Sequence, residues 1–164
     1  MYGSLYRRKA NYTESINHSL KAIKIAEDNN DKKLQATGYN GIAIQYLNLQ
    51  DIGRAEEYHR KALAIRIALK DSSFIGQSLN NLGIIHRVKG NFDSSLHYYK
   101  KALDIVISQN ESEDVAFLYN DIGAAYSKKG DVINGEIYLK AVESKRLSKE
   151  EIEKALDGKI ADDT

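Results

Sequence analysis

The sequence contains no cysteine and no proline in its 164 residues. Without cysteine, disulfide scaffolds, thiolate zinc sites and a cysteine nucleophile are excluded. Because proline breaks helix interiors, its absence favours continuous helices joined by short polar turns. No apolar run approaches the roughly 20 residues that a membrane helix needs. The first residues also lack the apolar core of a signal peptide, so we expect a cytoplasmic protein that does not bind membranes.

An excess of charge of either sign is lacking as well. Lys and Arg total 24 against 23 Asp and Glu, and this balance gives no general attraction to nucleic acid. Eleven tyrosines are present, which raises the possibility of a stacking platform for single-stranded nucleic acid. Most of them, including Tyr119, occupy repeat columns that are predicted to face the core, whereas Tyr58, Tyr98 and Tyr138 are predicted to lie just outside that stripe. We therefore predict that nucleic acid is not a partner.

An internal repeat with a period of 40 residues dominates the chain. It is clearest in the segments that begin at Lys21, Lys61 and Lys101, which read Lys-Ala-Ile or Lys-Ala-Leu. Coincidences in several columns at one offset are not expected by chance. Further columns contain an amide, a small residue and a turn residue: Asn40, Asn80, Asn120; Ala43, Gly83, Gly123; and Asn11, Asp51, Asn91, Asp131.

Each unit has the pattern of two amphipathic helices. In the second unit Ile75, Leu79 and Leu82 recur at spacings of four and three, as one face of a helix requires. Gly90-Asn91 then predicts a tight turn before a second helix that begins near Phe92. Neither helix can bury its apolar stripe alone, so neighbouring pairs are expected to stack.

Small residues recur where the two helices of a pair are expected to meet. A glycine inside a helix costs about 1 kcal/mol relative to alanine, so its recurrence indicates a steric need. Small side chains allow the two helix axes to approach closely. The facing sets are Ala43, Gly83, Gly123 and Ala55, Ser95, Gly135.

This pattern resembles the tetratricopeptide repeat. The first helices supply motifs such as Leu79-Leu82-Gly83-His86, and the second helices motifs such as Ser95-Tyr99-Ala102. The resemblance implies an all-α fold, a right-handed superhelical solenoid of antiparallel helix pairs. The 40-residue period and the lack of a closing proline resemble the subclass found in kinesin light chains, LGN/Pins-type polarity adaptors and bacterial sensor-associated arrays.

The repeat divides the chain into a partial unit over residues 1–30 and units over 31–70, 71–110 and 111–147. Tyr2-Gly3 and Tyr6 fall on first-helix columns, which predicts that Met1 lies within a first helix and that the chain is a segment of a larger protein. Residues 148–164 are expected to form a capping helix and a disordered tail. Ser148 and Glu151 form a capping box, and Asp157-Gly158 is expected to end the helix near Leu156.

The resemblance places a peptide-binding groove on the first helices, with Arg7 as the remnant of the partial unit. Isoleucine and leucine would add an apolar strip, whereas Arg87 and Lys128 would favour an acidic ligand. A clamp for two carboxylates, as in chaperone-tail binders, is not expected because Asn stands where those proteins have Lys. The predicted groove residues are Thr37, Asn40, Ile44, Leu47, Asn48, Gln77, Asn80, Asn81, Ile84, Arg87, Phe117, Asn120, Ala124, Ser127 and Lys128.

The repeated asparagine allows two interpretations that are not exclusive. A primary amide can pair with both the C=O and the N–H of an extended peptide, so one amide per unit would hold a strand-like ligand. Alternatively, the amides form hydrogen bonds between neighbouring first helices. Asparagine is a mediocre helix former, so helix stability does not explain its recurrence.

No residue pattern indicates a catalytic site or a metal-binding site. The four histidines lack zinc-site spacing, and His59 and His86 fall in aromatic columns. We predict no enzymatic activity, no cofactor and no metal. The predicted function is a protein- or peptide-binding adaptor segment of a larger, bacterial signalling protein. One alternative is a structural module that self-associates through its terminal repeats, and a third possibility is an autoinhibitory sensor arm for an attached kinase or DNA-binding domain.

Overall fold

A computed structural model describes residues 2–109, 112–144 and 149–162. Within these ranges the backbone forms eight α-helices and no strand. They are α1 Tyr2–Asp28, α2 Lys32–Asn48, α3 Ile52–Ala68, α4 Ser72–Val88, α5 Phe92–Ser108, α6 Ser112–Lys129, α7 Val132–Ser144 and α8 Lys149–Asp162. The all-α prediction is confirmed. The side chain of Arg7 and the residue Ser148 lie outside the part that is described.

The chain divides into two compact units, Met1–Ile85 and His86–Thr164. In the first unit α2 packs against both α1 and α3. In the second, α6 packs against both α5 and α7, and α8 packs on α7. Core positions such as Ile42 in the first unit and Ile122 in the second are fully buried, and each contributes about 1.5–3 kcal/mol of stabilisation.

One turn geometry recurs between consecutive helices. After α2, Gln50 adopts the left-handed conformation with φ of 60°. Its N–H donates to the carbonyl of Leu47 at 2.9 Å, and the N–H of Asp51 donates to that of Tyr46 at 2.9 Å. This pair of bonds is the Schellman motif, which satisfies the last carbonyls of a helix. The same left-handed position is occupied after four other helices by Asn30, Lys70, Gly90 and Gly130.

The residue after each left-handed position opens the next helix. Asp31, Asp51 and Asp131 each accept a hydrogen bond on a side-chain oxygen from the backbone N–H three residues later. These are N-cap interactions, each of which stabilises a helix by about 1 kcal/mol. Asn91 occupies the same place without a side-chain cap bond. Two consecutive residues therefore end one helix and begin the next, which keeps the turns short.

The predicted turn at Asn11 does not form. Helix α1 runs without interruption from Tyr2 to Asp28. The difference lies one residue earlier, because position 10 is alanine where the repeat has Gln50, Gly90 and Gly130. Alanine is the strongest helix former, whereas two of its three equivalents are glycine, which adopts the left-handed conformation without the cost of about 1–2 kcal/mol that a Cβ brings. The chain therefore continues as one helix.

Aromatic rings stack between the two helices of a pair. Tyr58 of α3 stacks on Tyr46 of α2 at a centroid distance of 5.6 Å, and Tyr138 of α7 stacks on Tyr126 of α6 at 5.8 Å. The sequence placed Tyr138 just outside the core stripe, which is wrong, since only 4% of the residue is exposed. The prediction that Tyr119 faces the core is confirmed.

The small residues allow the close approach that the sequence predicts. A Cβ added at Gly123 of α6 would lie 3.1 Å from the carbonyl oxygen of Gly135 in α7, and one added at Gly135 would lie 3.0 Å from that of Gly123. In the first unit the corresponding Ala43 and Ala55 are fully buried. The backbones of α6 and α7 are therefore closer than a pair of ordinary side chains would allow.

A buried arginine joins α3 to α4 in the first unit. Only 4% of Arg66 is exposed. Its Nη1 donates to Ser78 Oγ at 2.6 Å and to the Phe74 carbonyl at 3.1 Å, and its guanidinium lies over the Phe74 ring at 5.0 Å. Burial lowers the pKa of Arg66 below its usual value. Directional bonds thus supplement apolar packing between these helices.

Helix α8 is longer than predicted. It continues past Gly158 to Asp162, although the sequence indicates an end near Leu156. A helical glycine costs only about 1 kcal/mol, which is not enough here to stop the helix. Ile152 is 1% exposed, and Lys149 Nζ lies 2.5 Å from Asp104 Oδ1 of α5. Helix α8 is therefore held to the second unit by apolar burial and an ion pair.

Candidate functional site

The predicted groove residues of the first unit lie on α2 and α4, which are brought side by side. Asn81 Nδ2 of α4 donates to Asn40 Oδ1 of α2 at 3.0 Å. Thr37, Ile44, Asn48 and Gln77 are exposed, whereas Asn40, Leu47, Asn80, Asn81 and Ile84 are half-buried. We call the predicted groove residues on α2, α4 and α6 together the first-helix face. In the first unit its α2 and α4 parts are linked by the hydrogen bond between Asn40 and Asn81.

The two asparagines of this unit's amide column have different environments. The amide oxygen of Asn40 is used in the bond between helices, as the interpretation of the amides as links between first helices requires. Asn80 Oδ1 is shielded from solvent and accepts no hydrogen bond in the described part of the chain. An unsatisfied buried acceptor costs about 1–3 kcal/mol. The column therefore is not a uniform ladder of equally available amides.

In the second unit the first-helix face is most exposed on α6. Phe117, Asn120, Ala124 and Lys128 follow one another at spacings of three and four, and so share one side of the helix. Phe117 is 67% exposed. Asn120 and Lys128 are exposed and make neither a hydrogen bond nor an ion pair with any described residue. An aromatic ring, an amide and an ammonium group thus face solvent together.

Arg87 is less available than the sequence suggests. Its Nε donates to the Tyr99 hydroxyl at 3.1 Å, and its Nη2 lies 3.6 Å from Asp121 Oδ1. Burial raises the pKa of Asp121, and the charge of Arg87 opposes that rise. The positive charge of Arg87 is therefore partly balanced inside the protein, which leaves Lys128 as the more available cation of this face.

Asp121 was not among the predicted residues. It follows Asn120 directly and occupies the column of Asn81, the residue that bonds Asn40 in the first unit. The repeat offset could have shown that this column, one residue beyond the amides, carries the links between first helices. Ser127 is in the predicted set, but its hydroxyl donates to the Gly123 carbonyl at 2.9 Å within its own helix.

No group of three or more His, Cys, Asp or Glu side chains is placed to hold a metal ion among the described residues. No described helix is long and apolar enough to cross a membrane.

Comparison with known proteins identifies relatives of this arrangement. The tetratricopeptide repeat family matches residues 1–68 and 74–132. Regulatory protein RapG of Bacillus subtilis (strain 168) is 28% identical over 95 residues, which are 57% of this chain and 26% of RapG. The chain thus aligns with about a quarter of the length of this curated relative.

Solved structures share the fold. BtubC (BKLC) from P. vanneervenii superposes with a TM-score of 0.73 and 24% identity, covering 94% of this chain and 61% of that one. The TPR domain of Arabidopsis FLU gives a TM-score of 0.66 and 19% identity, covering 69% of this chain and 95% of that one. At this level of identity the similarity concerns the fold alone.

Proposed function

Because this chain belongs to the tetratricopeptide repeat family, we propose that it is an adaptor module that binds an extended segment of a partner protein on its first-helix face. The proposal assigns it no catalytic step. The relative RapG is a regulatory protein, which supports a place for this module in a larger signalling protein.

The exposed side of α6 carries the proposal. Phe117 offers a large aromatic surface to water, with 67% of the residue exposed. Exposed apolar surface rimmed by polar groups is typical of protein interaction sites, and aromatic residues are frequent among the side chains that dominate binding. Asn120 lies one turn further along the same side. This combination supports binding to another protein rather than a purely structural role.

The chemistry of this side indicates the kind of segment that would fit. Phe117 would pack against an apolar side chain, and the amide of Asn120 would pair with a backbone N–H and C=O of the extended ligand. Lys128 would attract a carboxylate, since no described residue neutralises it. We therefore expect a segment with an apolar residue followed or preceded by an acidic one.

The first unit would contribute differently. Asn40 is engaged with Asn81, so replacing it would also remove a bond between helices. Ile44, 42% exposed, and the exposed amides of Asn48 and Gln77 remain available to a ligand. A variant that replaces all three column asparagines would therefore confuse loss of a ligand contact with loss of a structural bond.

The test is selection of peptides from a display library by the wild-type chain and by a Phe117→Ser/Asn120→Ala variant. The control is Ile67→Ser, which changes an apolar residue of similar exposure, 55%, on second helix α3. We expect the wild type and the control to enrich the same apolar and acidic motif and the double variant to lose it. Enrichment of one motif by all three proteins would refute binding at α6.

Self-association is the second candidate, and the exposure of α7 favours it. Leu139 is 36% exposed, although its repeat equivalents His59 and Tyr99 are fully buried. Ile133, on the same helix, is 46% exposed. If these residues pack on a second copy, the molar mass measured by light scattering will rise with concentration for the wild type. For Ile133→Ser it will remain that of the monomer. A constant monomer mass would dismiss this candidate.

A further inference from the structure

Helix α8 docks on a face of α7 that differs from the same face in the other repeats. Ile137 and Ala141 are 6% and 3% exposed. Their equivalents are Glu57 and His97 in one column and Lys61 and Lys101 in the other, all exposed. Apolar residues thus replace polar ones in the repeat against which α8 packs. The sequence of the third repeat is therefore adapted to its contact with α8.

The contact between α8 and the repeats is incomplete. A cavity of about 190 Å³ remains among α5, α6, α7 and α8, partly open to solvent. Apolar cavities of roughly 150 Å³ are large enough to hold benzene, so this space is sufficient for a small ring compound. Five of its nine lining residues are apolar or aromatic, namely Leu103, Tyr119, Tyr138, Ile152 and Leu156, and the other four are the charged Lys100, Asp104, Lys149 and Glu153.

Tyr138 gives the cavity a polar group that is available for a hydrogen bond. The residue is 4% exposed, and its hydroxyl makes no hydrogen bond with any described residue. Burial raises its pKa well above the usual tyrosine value, and nearby Tyr126, Tyr119, Glu153 and Asp104 raise it further. The hydroxyl is therefore protonated at neutral pH and can donate a hydrogen bond. Glu153 and Asp104 line the same cavity, which locates the hydroxyl near that space.

The charged residues at the cavity balance one another. Lys149 Nζ lies 2.5 Å from Asp104 and 3.7 Å from Glu153. Lys100 Nζ donates to the Tyr126 hydroxyl at 2.9 Å. Two ammonium groups and two carboxylates therefore surround the cavity, and each ammonium group already has a polar partner. A ligand with a net charge would gain little from this rim.

We propose that the cavity beneath α8 binds a small, uncharged, mostly apolar ring compound that accepts a hydrogen bond from Tyr138. Such a compound would contact all four helices and would strengthen the attachment of α8. This site is separate from the first-helix face, so it would bind its ligand whether or not the proposed function is correct.

Two probe compounds of the same shape test the proposal. Acetophenone has a carbonyl acceptor, and α-methylstyrene has a CH₂ group in its place. Their affinities for the whole chain are measured by titration with NMR detection, in which backbone signals of Leu103, Tyr138 and Ile152 are expected to shift. Because water also binds the carbonyl of acetophenone, the hydrogen bond is measured as the change in the ratio of the two affinities when Tyr138 is replaced. One hydrogen bond corresponds to a change of about 5-fold.

Variants separate the hydrogen bond from the cavity itself. Tyr138→Phe is expected to shift the ratio of the two affinities by about 5-fold towards α-methylstyrene. Tyr58→Phe, the equivalent change in a repeat that does not line the cavity, is expected to keep the wild-type ratio. Leu156→Trp is expected to fill the space and abolish binding of both without loss of helicity. The proposal is overturned if neither compound shifts these signals at millimolar concentration, or if the ratio of the two affinities is the same in the wild type and in Tyr138→Phe. It is also overturned if Leu156→Trp binds both compounds normally.

Discussion

Acidification is expected to destabilise the first unit through His59. This residue of α3 is fully buried, and neither ring nitrogen has a hydrogen-bond partner in the described part of the chain. Burial lowers its pKa from 6.5 to about 4, and the positive charge of Arg66 contributes to the shift. The folded protein therefore holds a neutral imidazole, whereas the unfolded chain takes up a proton in mildly acidic solution.

The sign and the size of the effect follow from these two pKa values. Between about pH 6.5 and pH 4 the unfolded state binds more protons than the folded state, so the free energy of unfolding falls as the pH falls. The stability that the neutral His59 contributes is fully present above its unfolded-state pKa of 6.5. At about pH 5 the loss amounts to roughly 2 kcal/mol, at 1.36 kcal/mol per pKa unit.

Urea unfolding followed by circular dichroism at about pH 7.5 and pH 5 measures this loss. The variant is His59→Leu, because leucine occupies the same repeat position at Leu139. We expect the wild type to lose about 2 kcal/mol more than the variant on acidification. His18→Gln, at an exposed histidine, serves as the control and should behave as the wild type. Equal losses in the wild type and His59→Leu would refute the argument.

Three further predictions concern helix contacts. Gly135→Ala should lower the free energy of unfolding by about 1–3 kcal/mol, because its Cβ would lie 3.0 Å from a backbone oxygen of the facing helix. Gly53→Ala, whose Cβ meets nothing closer than 3.9 Å, should raise it by up to about 1 kcal/mol; the same sign for both in urea unfolding would contradict this. Asn81→Ala should lower the free energy of unfolding by about 1 kcal/mol, whereas Asn80→Ala should raise it by about 1 kcal/mol or more, because it removes a buried acceptor without a hydrogen bond; equal losses for the two variants would contradict this. Ile137→Glu should detach α8 and speed tryptic cleavage within it, and an unchanged rate would show that this face does not hold the helix.

The repeat columns predict most of the fold because each turn depends on very few residues. A left-handed residue followed by Asp or Asn is enough to specify the end of one helix and the start of the next, as at Gln50 and Asp51. The packing glycines were predictable for a similar reason, since Gly123 and Gly135 recur at positions where only small residues fit. Features of this kind depend on a few residues and can therefore be predicted from the sequence.

Contacts between successive repeats were harder to predict. Asn40 bonds Asn81 rather than Asn80, and these two differ by one residue, or about 100° around the helix. Which one faces the neighbouring helix depends on the relative rotation of α2 and α4, and the sequence does not state that rotation. Arg66 is a second case, because Val106 fills its column in the next repeat and the burial of its guanidinium depends on acceptors in α4.

The uninterrupted α1 shows that a small sequence difference can replace a pair of packed helices with one long helix. Its 27 residues make a rod of about 40 Å, whereas a turn near Ala10 would have folded the same length back on itself. The choice rests on whether one residue accepts the left-handed conformation. Repeats of similar sequence can therefore form either two packed helices or one long rigid helix through changes at the junction alone. An array can gain an extended, rigid segment in this way without a new fold.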